Sequence, residues 1–338
     1  GSSMDVGFKG NPNIGSIVLN QIVDSNDFQD FANNFESGDK IFIISSIFGG
    51  TGASGFPLLL KTLRTGTNFP NNDLINHAEI GAITILPYFK LKNDDESEID
   101  SSTFISKTKS ALAYYENNIS KNKSIDALYF LADNVTNTYE NHEGGSAQQN
   151  DAHLVEFLAA TAIVDFSNKQ HANTSNKELG LKELTNSVTF DSFYENQKRL
   201  LFAPLTEFMM MTNCLNHKFD YYSSKDFNAN NDNFNGLYGS SFMTELQNLT
   251  GLFIEWLDEM KRNKRSLDLF NLNTKDKPFE VVTGVKPKKI ISIKSDYDLV
   301  TDRLNSAVKK CQSKEDNDKF LEMFFLAMRK LFNEKFNA

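Results

Sequence analysis

The feature that most constrains this chain is the segment spanning residues 40–64, which reads KIFIISSIFGGTGASGFPLLLKTLR. Its first eight residues are apolar and rich in β-branched side chains, which is typical of a buried strand in a parallel sheet. Residues 49–55 contain four glycines, and apolar residues at helical spacing follow from Phe56. Pro57 falls where the first turn of a helix tolerates a missing N–H. The segment predicts a strand, a glycine-rich turn and a helix in direct succession.

A turn of this kind is suited to hold phosphate groups. Glycines let the backbone approach an anion closely, and the helix N-terminus offers unpaired N–H groups and a positive dipole end. The residues that would form this cradle are Gly49, Gly50, Thr51, Gly52, Ala53, Ser54 and Gly55. The alternative is a tight strand-to-helix turn without a ligand, although a plain turn does not require four glycines.

Two common glycine-rich loops fit this turn poorly. A P-loop needs Lys and then Ser or Thr after its last glycine, and Phe56 and Pro57 stand there instead. The dinucleotide pattern G-x-G-x-x-G is present. It also requires an acidic residue at the end of the next strand, about twenty residues on. The next strand, predicted at residues 80–86, ends in Pro87 and Tyr88. A dinucleotide-binding protein therefore stays only as an alternative.

A third class of loop matches better. GGTGASG after a buried strand resembles the GGTG-[ST]-G phosphate loop of the tubulin/FtsZ superfamily, whose members bind GTP and form filaments. Upstream, GNPNIG at residues 10–15 resembles the GGNPxxG loop of FtsZ-type proteins. Downstream, residues 80–88 and 124–134 resemble family strands that lead into Pro-Tyr and into an Asn. Asn150 and Asp151 resemble the opening of the family's central helix, where Asn or Asp reads the guanine.

The resemblance covers residues 7–168 and implies a ligand. It is GTP or GDP, with Mg²⁺ as the accompanying ion. Phosphates would lie against residues 49–55 and the upstream loop, while the base and ribose would contact polar residues that follow the later strands. The additional site residues implied by the resemblance are Gly10, Asn11, Pro12, Asn134, Asn150 and Asp151.

Hydrolysis in this family is completed by an N-x-D-x-x-D loop of a neighbouring subunit. The sequence from Asp165 to Asn168 resembles a remnant of that loop, with an amide where the second carboxylate would stand. Asp165 is thus the catalytic candidate, and an ordinary helix-end residue is the alternative. Because phosphoryl transfer depends on positioning and electrostatics, losing a carboxylate predicts weak or no hydrolysis. The five histidines show no metal-ligand spacing, so no protein metal site is predicted.

The order of predicted elements indicates an α/β fold. Strands alternating with helices in the first half are typical of βαβ crossovers and a parallel sheet. We expect a tubulin/FtsZ-like nucleotide-binding domain over residues 4–170 and a mainly helical domain over residues 185–338. No counterpart of the family's first strand and first phosphate loop precedes Gly10, so we expect either a chain that was trimmed at this end or a divergent bacterial protein that lacks them. In the second domain, helices are expected at residues 197–217, 241–265, 297–311 and 316–337, with strands at 279–285 and 289–294.

Composition excludes several other classes. The 35 basic and 44 acidic residues give a net charge of -9, which argues against a nucleic-acid surface. No apolar run approaches the ~20 residues of a membrane span. The chain has only two cysteines, which implies no disulfide framework and favours a cytoplasmic location.

These observations lead to one main functional prediction. The chain is expected to self-associate in a nucleotide-dependent manner, as a homo-oligomer or filament. The alternative from a different class is a non-catalytic interaction scaffold that has lost nucleotide binding and contacts another protein through its helical second domain.

Overall fold

The structure of the chain is a computed structural model. It describes residues 21–92, 103–135, 137–142, 151–168, 180–230, 233–234, 236–274, 277–288 and 294–336. The chain divides into two compact units, Gly1–Lys177 (unit 1) and Glu178–Ala338 (unit 2). In the described part of the chain, no helix combines the length and apolar character needed to cross a membrane.

Unit 1 is built on a parallel sheet. Its strands are β1 (Lys40–Ser46), β2 (Glu79–Ile85) and β4 (Ala127–Leu131), hydrogen-bonded in the order β1-β2-β4. In the register of the sheet, Ser46 lies beside Ile85, and Ile85 lies beside Leu131. The carboxyl ends of the three strands therefore meet at one edge. The predicted α/β class with a parallel sheet is confirmed at this level.

Helices cover both faces of this sheet. The helices of unit 1 are α1 (Asn26–Asn33), α2 (Gly50–Thr65), α3 (Asn72–His77), α4 (Phe104–Tyr115) and α5 (Leu154–Ser167). On one face, a core that includes Ile43, Phe56 and Tyr115 joins β1, β2 and α1–α4. On the other face, Ala159 and Ala162 of α5 pack against Ile83 and its neighbours. The alternation of side chains along each strand explains this two-sided core.

A second, two-stranded sheet extends from the carboxyl edge of the first. Strand β3 (Phe89–Leu91) follows β2 along the chain and pairs in parallel with β5 (Asn137–Tyr139), which follows β4. Phe89 packs edge-on against Tyr139, with 5.8 Å between their ring centroids. The segments that leave the strand ends of the main sheet are thus held together.

Unit 2 is mainly helical. Its helices are α6 (Glu195–His217), α7 (Phe219–Tyr222), α8 (Ser241–Arg262), α9 (Asp296–Ala307) and α10 (Asp316–Lys335). They overlap the four helices expected from the sequence. Strands β6 (Ser187–Val188) and β7 (Ser266–Leu267) form a short parallel pair.

The strand expected at residues 279–285 is not formed. Val282 makes a single antiparallel bridge to Phe270, and the residues around it lie in turns. Phe279 and Val281 are buried all the same. The apolar pattern correctly indicated burial, but the chain satisfies its backbone in turns instead of a strand ladder. The other expected strand, at residues 289–294, lies outside the described residues except for Lys294.

Candidate functional site

The glycine-rich segment forms the start of a helix and not an extended turn. Helix α2 begins at Gly50, and Gly49 is its N-cap with extended backbone. The prediction that residues 49–55 precede the helix is therefore wrong, as is the placement of Pro57 in the first turn. A Cβ atom on Gly52 would lie 2.9 Å from the Ser46 nitrogen and closer still to the Ser46 carbonyl oxygen. Glycine at this position lets the helix start directly against the end of β1.

Pro57 sits inside α2, and a second residue compensates for its missing N–H. In a regular helix the residue at position 57 would donate to the carbonyl of Ala53. Here the hydroxyl of Tyr115 donates to the Ala53 carbonyl at 3.4 Å. Burial raises the pKa of Tyr115, so the hydroxyl keeps its proton. The ring of Tyr115 also packs edge-on against Phe56, 5.1 Å between centroids.

The first turn of α2 presents uncapped backbone donors. The first N–H groups of any helix lack a partner within the helix, and Gly49 has no side chain to cap them. Ser54 does not take this role, since its hydroxyl donates to the Gly50 carbonyl at 2.7 Å and is buried. Thr51 is exposed. The start of α2 therefore offers N–H groups and the positive end of the helix dipole.

A cavity of about 380 Å³ adjoins this helix start. Its lining comes from the β1–α2 connection, from α2 and from α4: Ile47, Phe48, Gly49, Ala53, Ser106, Lys107, Ser110, Ala111, Tyr114 and Tyr115. The space beside Gly49 is thus open, with no side chain of the described residues filling it. This arrangement meets the first requirement of a phosphate cradle.

Helix α4 supplies the polar and charged part of the lining. Lys107 is half-buried, and among the described residues no carboxylate lies within ion-pair distance of its ammonium group. The hydroxyl of Ser106 donates to the Thr103 carbonyl at 2.9 Å, and that of Ser110 donates to the Ser106 carbonyl at 3.2 Å. Gly49, the N-cap of α2, and Lys107 of α4 therefore line the same cavity, whereas Gly50, Thr51 and Gly52, which carry the first N–H groups of the helix, are not among its lining residues.

The residues of α4 were missed by the sequence analysis. The alternation of strands and helices implied a helix between β2 and β4, but no site residue was assigned to it. The sequence KTKSALAYY places Lys107, Ser110 and Tyr114 at spacings of three and four, which puts them on one helix face. This shared helix face is the sequence signal that could have identified these residues as part of the site. Its direction toward Gly49 depends on how α4 packs, which the local pattern does not reveal.

The residues expected to contact the base and ribose lie elsewhere at the sheet edge. Asn134 follows β4, is exposed, and donates its backbone N–H to its neighbour Asp133 at 2.7 Å. Asp151 is exposed and precedes α5. Neither residue lines the cavity. The structure therefore joins the glycine-rich segment to α4 and does not bring Asn134 or Asp151 into the same cavity.

The start of α5 also differs from expectation. The helix was predicted to open at Asn150 and Asp151, but its first residue is Leu154 and its N-cap is His153. The Nδ1 atom of His153 accepts the Val155 N–H at 3.1 Å, and its ring packs 4.8 Å from that of Tyr88. An imidazole cap thus replaces the expected carboxylate or amide and ties α5 to the segment after β2.

The catalytic candidate Asp165 is buried in α5. Its carboxylate accepts a hydrogen bond of 2.9 Å from the Tyr129 hydroxyl on β4. Burial, together with this hydrogen bond, raises the pKa of Tyr129, so Tyr129 remains the donor. This contact ties α5 to the sheet.

The remaining site residues of the sequence analysis, Gly10, Asn11, Pro12 and Asn150, lie outside the described residues. Within the described ranges, no three His, Cys, Asp or Glu side chains are grouped so as to hold a metal ion. Comparisons with protein-family models, curated proteins and solved structures found no match to this chain.

Proposed function

We propose that unit 1 binds the phosphate groups of a nucleotide in the cavity at the start of α2. One observation carries the proposal. Gly49, the N-cap of α2, and Lys107, which has no carboxylate partner among the described residues, line one cavity. Two separate elements of the fold therefore contribute to the same cavity, one at the positive end of a helix dipole and the other with a basic residue.

The electrostatics favour an anion. The N-terminus of a helix is equivalent to roughly half an elementary positive charge, and each favourable contact of this kind contributes about 0.3–1 kcal/mol. The ammonium group of Lys107 adds a full charge, and half-buried charges are screened less by salt than exposed ones. A multiply charged phosphate chain matches this combination better than a single carboxylate does.

The size and lining of the cavity favour a whole nucleotide as the ligand over a single phosphate group. A volume of about 380 Å³ exceeds what one phosphate group fills, and the cavity wall includes Tyr114 and Tyr115. Bases stack on aromatic side chains, which contributes about 1–3 kcal/mol per base. The resemblance of GGTGASG to the tubulin/FtsZ loop favours GTP or GDP. Asn134 and Asp151 do not line this cavity, so the base is proposed to contact Tyr114 instead.

By the same resemblance, we extend the proposal to nucleotide-dependent self-association with weak or no hydrolysis. The buried position of Asp165, bonded to Tyr129, supports weak hydrolysis, because a catalytic carboxylate must reach the attacking water. Mg²⁺ typically binds substrate phosphates together with water and one or two carboxylates. The described ranges contain no group of three acidic or histidine side chains. The phosphates of the nucleotide, together with water, would therefore supply most of the ligands of Mg²⁺.

Calorimetric titration with GTP, GDP, ATP and NAD⁺ tests the proposal. We expect GTP and GDP to bind, and Lys107→Ala to weaken that binding about tenfold, which corresponds to about 1.4 kcal/mol. Lys109→Ala is the matched control. Lys109 is an exposed lysine of the same helix that does not line the cavity, so its removal is expected to leave the affinity unchanged.

Three results would contradict parts of this proposal. Absence of nucleotide binding would exclude it, and equal losses in the two lysine variants would show that only net charge matters. Binding of NAD⁺ alone would favour the dinucleotide-binding alternative. Light scattering with GTP and with GDP then tests self-association, which is expected to differ between the two nucleotides.

A further inference from the structure

Helix α8 in unit 2 carries an apolar surface that its own unit covers only in part. Leu249, Leu252, Phe253 and Trp256 follow the spacing i, i+3, i+4, i+7 and therefore share one face, called here the outer stripe. Leu249 is 53% exposed and Leu252 is 62% exposed. The helix is anchored to its unit by a separate buried row that includes Met243, Leu246, Thr250, Leu257 and Met260. Packing of α8 within unit 2 therefore does not account for the exposed leucines Leu249 and Leu252, whereas Phe253 and Trp256 are half-buried.

The aromatic part of the outer stripe is held in place. The ring of Phe253 packs edge-on against Phe208 of α6, with 4.9 Å between centroids. The ring of Trp256 stacks beside that of Phe253 at 6.0 Å. Two fixed aromatic rings beside two exposed leucines have the composition of an interaction surface, where rigid aromatic anchors carry much of the binding energy.

The charges around the outer stripe are acidic. Glu245 lies one turn before Leu249, and Glu255 lies three residues after Leu252; both are exposed. The basic residues at the end of α8 are neutralised within unit 2: Lys261 pairs with Asp268 at 2.8 Å, and Arg262 pairs with Asp258 at 3.0 Å. Among the described residues, no basic group lies within ion-pair distance of Glu245 or Glu255.

This charge pattern disfavours two occupants. A second copy of α8 packed in parallel would bring Glu245 against Glu245. Like charges placed opposite each other cost several kcal/mol in an interface. An anionic lipid surface would be repelled by the same groups, and the whole chain carries a net charge of -9.

We infer that the outer stripe binds an amphipathic helix of another protein that carries Lys or Arg beside its apolar residues. Such a helix lays its apolar face on Leu249, Leu252 and Trp256 and pairs with α8 through anchors at helical spacing. Its basic residues pair with Glu245 and Glu255. This interaction does not depend on nucleotide binding by unit 1.

Trp256 provides a direct measurement, because it is the single tryptophan of the chain. The probes are two tryptophan-free peptides of about 18 residues, five helical turns, with identical leucine positions. One carries lysines on its polar face and the other carries glutamates. The Leu/Lys peptide is expected to shift the emission of Trp256 saturably and to bind at least tenfold more tightly than the Leu/Glu peptide.

Substitutions locate the binding and test its charge dependence. Leu252→Glu is expected to weaken binding of the Leu/Lys peptide at least tenfold while leaving Trp256 as the reporter. Ile105→Glu is the matched control, because Ile105 of α4 is also 62% exposed but belongs to unit 1. The double variant Glu245→Lys with Glu255→Lys is expected to reverse the preference, so that the Leu/Glu peptide binds more tightly.

Several outcomes would overturn the inference. They are an unchanged Trp256 emission with both peptides, equal affinity for the two peptides, and equal effects of Leu252→Glu and Ile105→Glu. Analytical ultracentrifugation without peptide tests one further outcome that would overturn the inference. A dimer that Leu252→Glu abolishes would assign the outer stripe to a second copy of the chain, and the proposed partner would then be wrong.

Discussion

The start of α2 in unit 1 and the outer stripe of α8 in unit 2 use opposite means to present a surface. At the start of α2, the surface is concave and is lined by Gly49, the N-cap of the helix, with Lys107 added from α4. Along α8, the surface is convex and consists of side chains such as Leu252 and Trp256. The first attracts anions, whereas the second is apolar with acidic residues beside it.

This difference determines which substitutions each region tolerates. A surface made by the backbone depends on close approach between elements, so one added methyl group alters it. A surface made by side chains on a well-anchored helix can change its chemistry without disturbing the packing beneath. The predictions below compare matched residues in the two regions.

The largest expected effect comes from a pair of helical glycines. Gly52→Ala places a methyl group against the Ser46 backbone and is expected to lower the free energy of unfolding by about 2 kcal/mol, as overpacking does. Gly251→Ala in α8 meets no atom within 4 Å. It is expected to raise the free energy of unfolding by about 0.5–1 kcal/mol, because alanine restricts the unfolded chain.

Chemical denaturation of the two variants measures these changes. If Gly52→Ala were neutral or stabilising, the close contact between α2 and β1 would not constrain the site, and the contrast between the two regions would fail.

A medium effect is expected for the tyrosine pair of α4. Tyr115→Phe removes the hydroxyl that donates to the Ala53 carbonyl and is expected to destabilise unit 1 by about 1 kcal/mol. Tyr114→Phe is the control, since Tyr114 is 51% exposed while Tyr115 is 1% exposed. Thermal unfolding distinguishes them. Equal melting temperatures for the two variants would mean that the carbonyl freed by Pro57 needs no protein donor.

The smallest expected effect is the pH dependence of stability that two carboxylates of unit 2 contribute, and the two contributions have opposite signs. Burial raises the pKa of Glu207 in α6 above its ordinary 4.5, and Arg329 at 3.9 Å lowers it only in part. The folded chain therefore binds this proton more tightly than the unfolded chain, and stability falls as the pH rises above 4.5. Glu207→Gln is expected to remove that fall in denaturation curves measured from pH 4 to 7.

Glu322 in α10 provides the opposite sign. It accepts backbone N–H groups of Ser313 and Gln312 at 2.9 and 3.0 Å, and these bonds hold its pKa below the ordinary 4.5. Its contribution to stability is present above pH 4.5 and is lost as the pH falls through the lowered pKa. Glu322→Gln should therefore destabilise the chain at neutral pH. If both variants changed the free energy of unfolding at neutral pH in the same direction, side-chain environment would not control the pKa values of these two carboxylates.

Much of the fold could be predicted from local patterns. The β-branched run of β1 and the apolar segment of β2 are long enough to be recognised as strands, and the helical spacing in α6, α8, α9 and α10 identified those helices. Residues 279–285 show the limit of such patterns. Their apolar character reports burial, which turns can satisfy as well as a strand can.

The sequence alone determined that this chain builds a parallel sheet and that a glycine-rich segment joins β1 to a helix. Periodicity and glycine content are local properties, so they can be seen without coordinates. Only the tertiary structure decided that α2 starts at Gly50, that Tyr115 bonds the Ala53 carbonyl, and that Lys107 lines the same cavity as Gly49. These contacts join residues far apart in the chain, and the packing of α4 on the sheet brings them together.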